Sequence, residues 1–206
     1  MSSLENIRIV LGITGNIATG KSTVVSMLRE LGAHHIDSDL VYRDLVGPGQ
    51  PLLKKLVEHF GEGIVAEDGS LDRKALGNIV FSDPEKLKEL DALTHPAVIK
   101  ESDRRVEAIR SGVIVIDAVK LIESGHHEVC DEVWLVTAPE EAQVRRVMDR
   151  NHVDEEEARR RVAAQPPLEP KIAAADVIID NSDTLADLRE QVVDAWTAML
   201  GRQVHQ

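Results

Sequence analysis

The segment from Gly15 to Thr23 limits the possible folds of this chain more than any other feature. It fits the pattern G-x-x-x-x-G-K-[ST], with Gly15, Gly20 and Lys21 at the required positions. Apolar, strand-like residues 7–13 precede it, and helix-forming residues 22–31 follow it. A strand, a tight loop and a helix N-terminus in this order direct backbone N–H groups and the helix dipole toward an anion. The pattern therefore predicts a site for a nucleoside triphosphate.

Two side chains of this phosphate loop have assigned chemical roles. Lys21 is expected to reach the β- and γ-phosphates, and the Ser22 hydroxyl is expected to hold Mg²⁺. The alternative is a glycine-containing turn without a ligand, which the strand-loop-helix context makes the weaker interpretation. The predicted nucleotide-binding residues are Gly15, Asn16, Ile17, Ala18, Thr19, Gly20, Lys21, Ser22 and Thr23.

Charge and composition narrow the classes of partner. The formal net charge is −12, which argues against binding driven by nucleic-acid phosphates, and an aromatic content of 2% leaves few rings for base stacking. The single cysteine, Cys130, excludes an intramolecular disulfide and a multi-cysteine zinc site. The sequence has no secretory signal pattern, and its apolar runs are shorter than the ~20 residues of a membrane helix. We therefore expect a cytoplasmic protein with no nucleic-acid or membrane partner.

Apolar strand-like runs alternate with helical segments along most of the chain. The runs lie at residues 7–13, 34–36, 113–116, 133–136 and 177–179, and their continuous apolar character is typical of buried parallel strands. These features predict an α/β fold, a P-loop NTPase-type parallel sheet flanked by helices. Residues 47–95 read as mostly helical and predict a substrate-binding insertion. The nucleotide-binding core would then comprise residues 1–46 and 96–206, with a charged lid at about 150–170.

Three aspartates follow predicted strands. Asp37 and Asp39 come at the end of the short second strand, where alternate residues would share a face and both carboxylates could point into one cleft. A carboxylate there can accept the proton of an attacking hydroxyl, which makes Asp39 a candidate base. The alternative is that Asp39 caps the helix of residues 40–45. Asp117 ends another strand, as either a metal-organising acid or a turn residue.

Arginine side chains stabilise the charge that spreads over a transferring phosphoryl group. Arg146, Arg150 and Arg161 flank the predicted lid and are the candidates, whereas neighbouring arginines compete with them on sequence alone. The alternative is a solvated helix face, because Glu157 and Arg161 have i,i+4 spacing. His95-Pro96 is expected to open a long helix, with His95 as a cap-region core residue or a substrate contact.

At this point the sequence resembles the dephospho-coenzyme A kinases, and the resemblance covers nearly the whole chain. The motifs that carry it, in order, are residues 12–15 leading into the phosphate loop, Ile36-Asp37-Ser38-Asp39, Leu93-Thr94-His95-Pro96, residues 121–125, Arg146 and Arg150, Arg161 with Gln165, Ala175-Asp176, and residues 179–182. The chain departs from the family pattern at Asn16 and Ala18, where glycine is usual, at residues 118–120, and at Pro166-Pro167.

The resemblance implies an enzyme that transfers a phosphoryl group from ATP, with Mg²⁺, to the ribose 3′-hydroxyl of dephospho-coenzyme A. This reaction is the last step of coenzyme A synthesis. The resemblance also implies Asp39 as the base that activates the hydroxyl, with Lys21, Arg146 and Arg161 as the other catalytic residues. Asn181 is expected near the adenine of ATP, and Asp37 and His95 join Asp39 as substrate-binding residues.

Three other functions can be compared with this assignment. Another small-molecule kinase on the same scaffold, shikimate-like or a nucleoside monophosphate kinase, is the nearest alternative, because an Asp-x-Asp pair after the second strand also occurs in shikimate-type kinases. A GTP-dependent switch protein is weakly supported: residues 44–47 match D-x-x-G, but the sequence has no N-K-x-D guanine motif. A non-catalytic nucleotide sensor would lack the candidate base Asp39.

Overall fold

The computed structural model describes residues 8–204, and Ile7 of the predicted first strand lies outside this range. The described residues form a five-stranded sheet in the order β2-β3-β1-β4-β5. Strand β1 pairs in parallel with both β3 and β4, and β4 pairs in parallel with β5. The strands are β1 (Arg8–Thr14), β2 (His34–Asp37), β3 (Gly112–Asp117), β4 (Glu132–Thr137) and β5 (Val177–Asp180).

The α-helices of residues 8–204 account for most of the remaining chain. They are α1 (Lys21–Glu30), α2 (Ser38–Leu45), α3 (Pro51–Phe60), α4 (Arg73–Val80), α5 (Pro84–Glu107), α6 (Glu140–Asn151), α7 (Glu155–Ala163), α8 (Glu169–Ala174) and α9 (Leu185–Val204). Among them, no helix is both long and apolar enough to cross a bilayer.

Contacts between Cα atoms divide the chain into two compact units, Met1–Ile36 with Ile109–Gln206, and Asp37–Ala108. In the first unit, alternate residues of the central strands, such as Ile9, Leu11 and Ile13, are fully buried against α1 and α9. Residues that point to the opposite face of the sheet, such as Ile114 and Ile116 of β3, are buried as well. Burial on both faces explains why these strands read as continuous apolar runs.

The second unit is helical and has a core of its own. Its buried residues come from α3 and α4 and from the connections around them, and they include Leu53, Leu56, Ile64 and Leu76. Helices α3 and α4 both pack against α5. The unit is wider than the insertion predicted at residues 47–95, because it also contains α2 and all of α5.

The prediction that His95-Pro96 opens a helix is wrong. Pro96 lies inside α5, whose N-terminus is at Pro84, where Asp83 accepts hydrogen bonds from the N–H groups of Glu85 and Lys86. Proline in a helix interior removes one backbone hydrogen bond, and packing against α2, α3 and α4 maintains the helix through this position. Pro84 and Pro96 therefore give the same sequence signal for the start of a helix, but only Pro84 begins one.

Candidate active site

The phosphate loop connects β1 to α1 with the geometry that the sequence predicts. Gly20 is the N-cap residue of α1 and has a left-handed φ of 97°, a conformation that favours glycine. A Cβ atom at this position would also collide with the carboxamide of Asn181. Ala18 also has a left-handed φ, of 58°, which is strained for alanine. Glycine, which the kinases that this sequence resembles usually have at this position, adopts that conformation without strain. The first turn of α1 contains no acidic residue, which leaves its N-terminus suited to an anion.

Lys21, Asp117 and His35 form a charged cluster beneath the loop. The Lys21 ammonium donates to Oδ1 of Asp117, and Nε2 of His35 lies 3.4 Å from Oδ2. Asp117 is 8% exposed. Burial by itself would raise the pKa of Asp117, but the interactions with His35 and Lys21 outweigh burial and place the pKa below its ordinary value. The carboxylate therefore stays ionised beside the loop.

Arg146 and Asn181 support the backbone of the loop. Nη1 of Arg146 donates to the carbonyls of Ala18 and Thr19 at 3.1 and 3.2 Å, and Nη2 donates to the carbonyl of Asn181 at 3.3 Å. The Asn181 side chain, which is nearly buried, donates to the carbonyl of Thr19 at 2.8 Å. The planar guanidinium fork suits several carbonyls at once. The structure thus brings two predicted site residues onto the loop.

A pocket of about 360 Å³ opens beside these residues. The N-terminal turn of α1 forms one wall, and residues after β5 and on α9 form another. Leu185 stands there 62% exposed, which is a high value for a leucine. The lining combines apolar and polar groups, as is usual for small-molecule sites. The lining residues are Ala18, Gly20, Ser22, Thr23, Arg146, Arg150, Asn181, Asp183, Leu185 and Leu188.

Arginines of α7 are paired with glutamates. Nε of Arg161 donates to Glu157 at 2.7 Å, the i,i+4 pair that the sequence predicts. Arg159 reaches Glu141 at 2.8 Å and so ties α7 to α6. Exposed pairs of this kind contribute about 0–1 kcal/mol. Arg161 can therefore exchange Glu157 for a phosphate at small cost.

The structure corrects the expected arrangement of Asp37 and Asp39. Asp37 is the N-cap residue of α2, and its Oδ1 accepts hydrogen bonds from the N–H groups of Asp39 and Leu40 at 2.8 and 3.1 Å. Asp39 lies in the first turn of the helix, so it is not the cap residue, and the two carboxylates do not alternate along one strand. A helix that starts directly after β2 explains the difference. The side chain of His95 lies 3.3 Å from Asp91 on α5.

Sequence reasoning missed Lys171, a lysine that is only 1% exposed. Its ammonium lies 3.0 Å from Glu123, and it donates to the carbonyl of Val119 and to the hydroxyl of Thr14, the residue before the loop. These partners are distant in sequence, so no local pattern marks them. The family motif contained Gln165, but its contacts could not be predicted: its Oε1 accepts the N–H of Ile17 at 3.1 Å.

Comparison with known proteins gives a consistent result. A family model described as dephospho-CoA kinase matches residues 9–187. A dephospho-CoA kinase of Carboxydothermus hydrogenoformans is 46% identical over 187 residues, which cover 89% of this chain and 91% of that protein. The crystal structure of TT1252 from Thermus thermophilus superposes with a TM-score of 0.80 at 36% identity, covering 94% of this chain and 98% of that one.

Shikimate kinases share the fold at much lower sequence similarity. The shikimate kinase from Acinetobacter baumannii has a TM-score of 0.54 at 16% identity, covering 96% of both chains. Similarity at this level supports a common phosphate-loop scaffold and carries no information about the substrate.

Proposed function

The chain belongs to the dephospho-CoA kinase family, and we propose that its phosphate loop, Asp39 and the arginines of α6 and α7 carry out the family reaction. That reaction is the transfer of the ATP γ-phosphoryl group to the ribose 3′-hydroxyl of dephospho-coenzyme A, which gives coenzyme A and ADP. The observation that carries the assignment of the donor site is the strand-loop-helix connection from Thr14 to Lys21, with Lys21 beside the ionised Asp117.

Residues of the donor site have separable tasks. Backbone N–H groups at the start of α1 bind the polyphosphate, and Lys21 neutralises charge that develops on the β- and γ-phosphates. Arg146 keeps the loop carbonyls turned away from the phosphates, because its guanidinium holds those of Ala18 and Thr19. The pocket beside Asn181 accommodates the adenine and ribose of ATP.

Mg²⁺ fits the oxygen donors at this end of the sheet. The Ser22 hydroxyl stands in the first turn of α1, and the carboxylate of Asp117 is ionised and buried. Hydroxyl and carboxylate oxygens, completed by water and phosphate oxygens, are the ligands that Mg²⁺ prefers. The ion would neutralise phosphate charge when bound, and Ser22 and Asp117 would hold it.

Asp39 is the proposed base and Arg161 the proposed lid arginine. Asp39 is exposed in the first turn of α2, a position from which a carboxylate can accept a proton from a bound hydroxyl. The helical unit Asp37–Ala108, with Asp37 and His95, is the proposed binding part for the substrate. We also propose that the enzyme is cytoplasmic, a location consistent with its family. Its net charge of −12 supports the absence of a nucleic-acid partner.

Product analysis tests this proposal. Incubation with ATP, Mg²⁺ and dephospho-coenzyme A should give a product that is heavier by one phosphoryl group, while the analogue that lacks the 3′-hydroxyl should remain unmodified. Lys21→Ala should abolish the reaction, whereas Arg29→Ala, at an exposed position in the last turn of α1, should leave it unchanged. Phosphorylation of the 3′-deoxy analogue would contradict the assigned acceptor atom.

A further inference from the structure

A single carboxamide joins the phosphate loop to the end of α7. Oε1 of Gln165 accepts a hydrogen bond from the Ile17 N–H at 3.1 Å, and Nε2 of the same side chain donates to the Arg161 carbonyl at 3.4 Å. Ile17 belongs to the loop, and Arg161 belongs to the last turn of the helix. Both ends of one side chain are thus bonded to two segments of the site.

Further contacts between the same two segments do not involve this carboxamide. Nδ2 of Asn16 donates to the carbonyl of Pro166 at 3.2 Å. Ile17 and Ala18 pack in a small apolar cluster with Ala158 and Val162 of α7. The first half of the loop is therefore a docking surface for α7, and Gln165 supplies a directed contact within it.

The chemistry of the contact requires a residue that both donates and accepts. The Arg161 carbonyl is one of the last four of α7, which have no partner within the helix, and the Ile17 N–H lies in a loop without regular backbone pairing. A glutamine amide offers one carbonyl oxygen and two N–H donors on a side chain of three rotatable bonds. A leucine at this position would preserve bulk and lose both hydrogen bonds.

We propose that Gln165 is a positioning residue that fixes the last turn of α7, and with it Arg161, against the phosphate loop. This role rests on the proposed function, in which Arg161 acts on the transferring phosphoryl group. When the Arg161 side chain leaves Glu157 for the phosphates, its backbone stays anchored to the loop through Gln165. The Arg161 guanidinium then has fewer accessible positions, so less conformational entropy is lost when it binds the phosphates.

A double-mutant cycle on the full-length protein tests this role. Gln165→Leu should lower kcat about tenfold, because it removes both hydrogen bonds that hold the last turn of α7 against the loop, with little change in the KM for ATP. In the Arg161→Ala background the same substitution should change kcat less than about twofold, because the residue to be positioned is gone. Gln143→Leu is the matched control, since the carboxamide of Gln143, on α6, donates to the carbonyl of Ala138 in the connection between β4 and α6; its kcat should equal that of the wild type.

Amide hydrogen exchange at Ile17 gives a second measurement that needs no substrate. Exchange should be faster in Gln165→Leu than in the wild type and unchanged in Gln143→Leu. Equal exchange rates, an unchanged kcat in Gln165→Leu, or a full tenfold loss in the Arg161→Ala background would each overturn the role of Gln165, as would full activity of Arg161→Ala alone. A wild-type protein without activity on dephospho-coenzyme A would instead overturn the proposed function, and the exchange measurement would still decide the loop contact.

Discussion

Lys21 of the phosphate loop donates a hydrogen bond to Asp117, the last residue of β3. The sheet creates this relationship, because β1 and β3 are parallel neighbours in which Ile13 lies opposite Asp117. The loop that follows β1 and the carboxylate that ends β3 therefore emerge at the same edge. Under the proposed function, a bound polyphosphate would compete with Asp117 for the ammonium of Lys21, and Asp117 could then help to hold a metal ion.

Replacement of Asp117 should separate nucleotide affinity from turnover. Asp117→Asn removes the anion that competes for Lys21, so ADP without Mg²⁺ should bind as tightly as to the wild type or more tightly. The kcat should fall by about 10²-fold, because a group that organises the metal is lost. Calorimetric titration and steady-state kinetics measure the two quantities. Tenfold weaker ADP binding in the variant would contradict the competition between Asp117 and phosphate.

The acid stability of the protein should also depend on Asp117. Because its pKa in the folded state lies below the ordinary value of 3.8, the ionised group stabilises the fold at pH values above 3.8. That stabilisation is lost as the pH falls through the lower, folded-state pKa. In urea titrations, the difference in free energy of unfolding between wild type and Asp117→Asn should be constant above about pH 5 and shrink at lower pH. A difference that grows toward acid pH would contradict the direction of the pKa shift.

Substitutions of Asp39 and Asp37 should differ in their effect on stability. Asp39→Asn should lose about 10²–10⁴-fold in kcat while it retains ATP binding and thermal stability, since removal of a general base has this effect. Asp37→Ala should lower the free energy of unfolding by about 1 kcal/mol through loss of the α2 cap. Asp72→Ala, which removes the equivalent cap of α4, is the control for stability without an effect on turnover. Loss of stability in Asp39→Asn that matches its loss of activity would indicate a structural residue.

Lys171 should be required for stability. Lys171→Met leaves Glu123 without its cation and removes one donor each from the Val119 carbonyl and the Thr14 hydroxyl, which still bond to each other, at a cost of about 2–4 kcal/mol. Glu123→Gln in the Lys171→Met background should recover part of this loss, because it removes the unpaired charge. Lys54→Met, at an exposed site, should have almost no effect. Denaturant unfolding measures all of these, and a Lys171→Met protein as stable as the wild type would contradict the structure of this cluster.

Features encoded in contiguous residues were predictable from the sequence. The strand-loop-helix around Lys21, the position of Asp117 at a strand end and the Glu157–Arg161 pair all follow from local patterns. The starts of helices were predicted less accurately, because Pro84 begins α5 whereas Pro96 lies inside the same helix. Which aspartate caps α2 depends on an offset of two residues between Asp37 and Asp39, a precision that periodicity does not reach.

Contacts between distant segments could not be predicted. Lys171 lies 157 residues from Thr14 and 52 from Val119, and nothing in the surrounding charged sequence distinguishes it from an exposed lysine. Gln165 lies 148 residues from Ile17. β2 and β3 are neighbours in the sheet, and of the adjacent pair His34 and His35 it is His35 that lies 3.4 Å from Asp117, because successive residues of a strand point to opposite faces. Tertiary packing alone creates these relationships.

The substrate assignment is tested most directly by ADP release from ATP and Mg²⁺, measured separately with dephospho-coenzyme A, shikimate, AMP, CMP and adenosine as acceptors. Lys21→Ala serves as the inactive control in each assay. We predict rapid release with dephospho-coenzyme A, abolished in Lys21→Ala, and only background release with the other four acceptors. Rapid release with shikimate or AMP and none with dephospho-coenzyme A would contradict the proposed function and leave only a phosphate-loop kinase of another specificity.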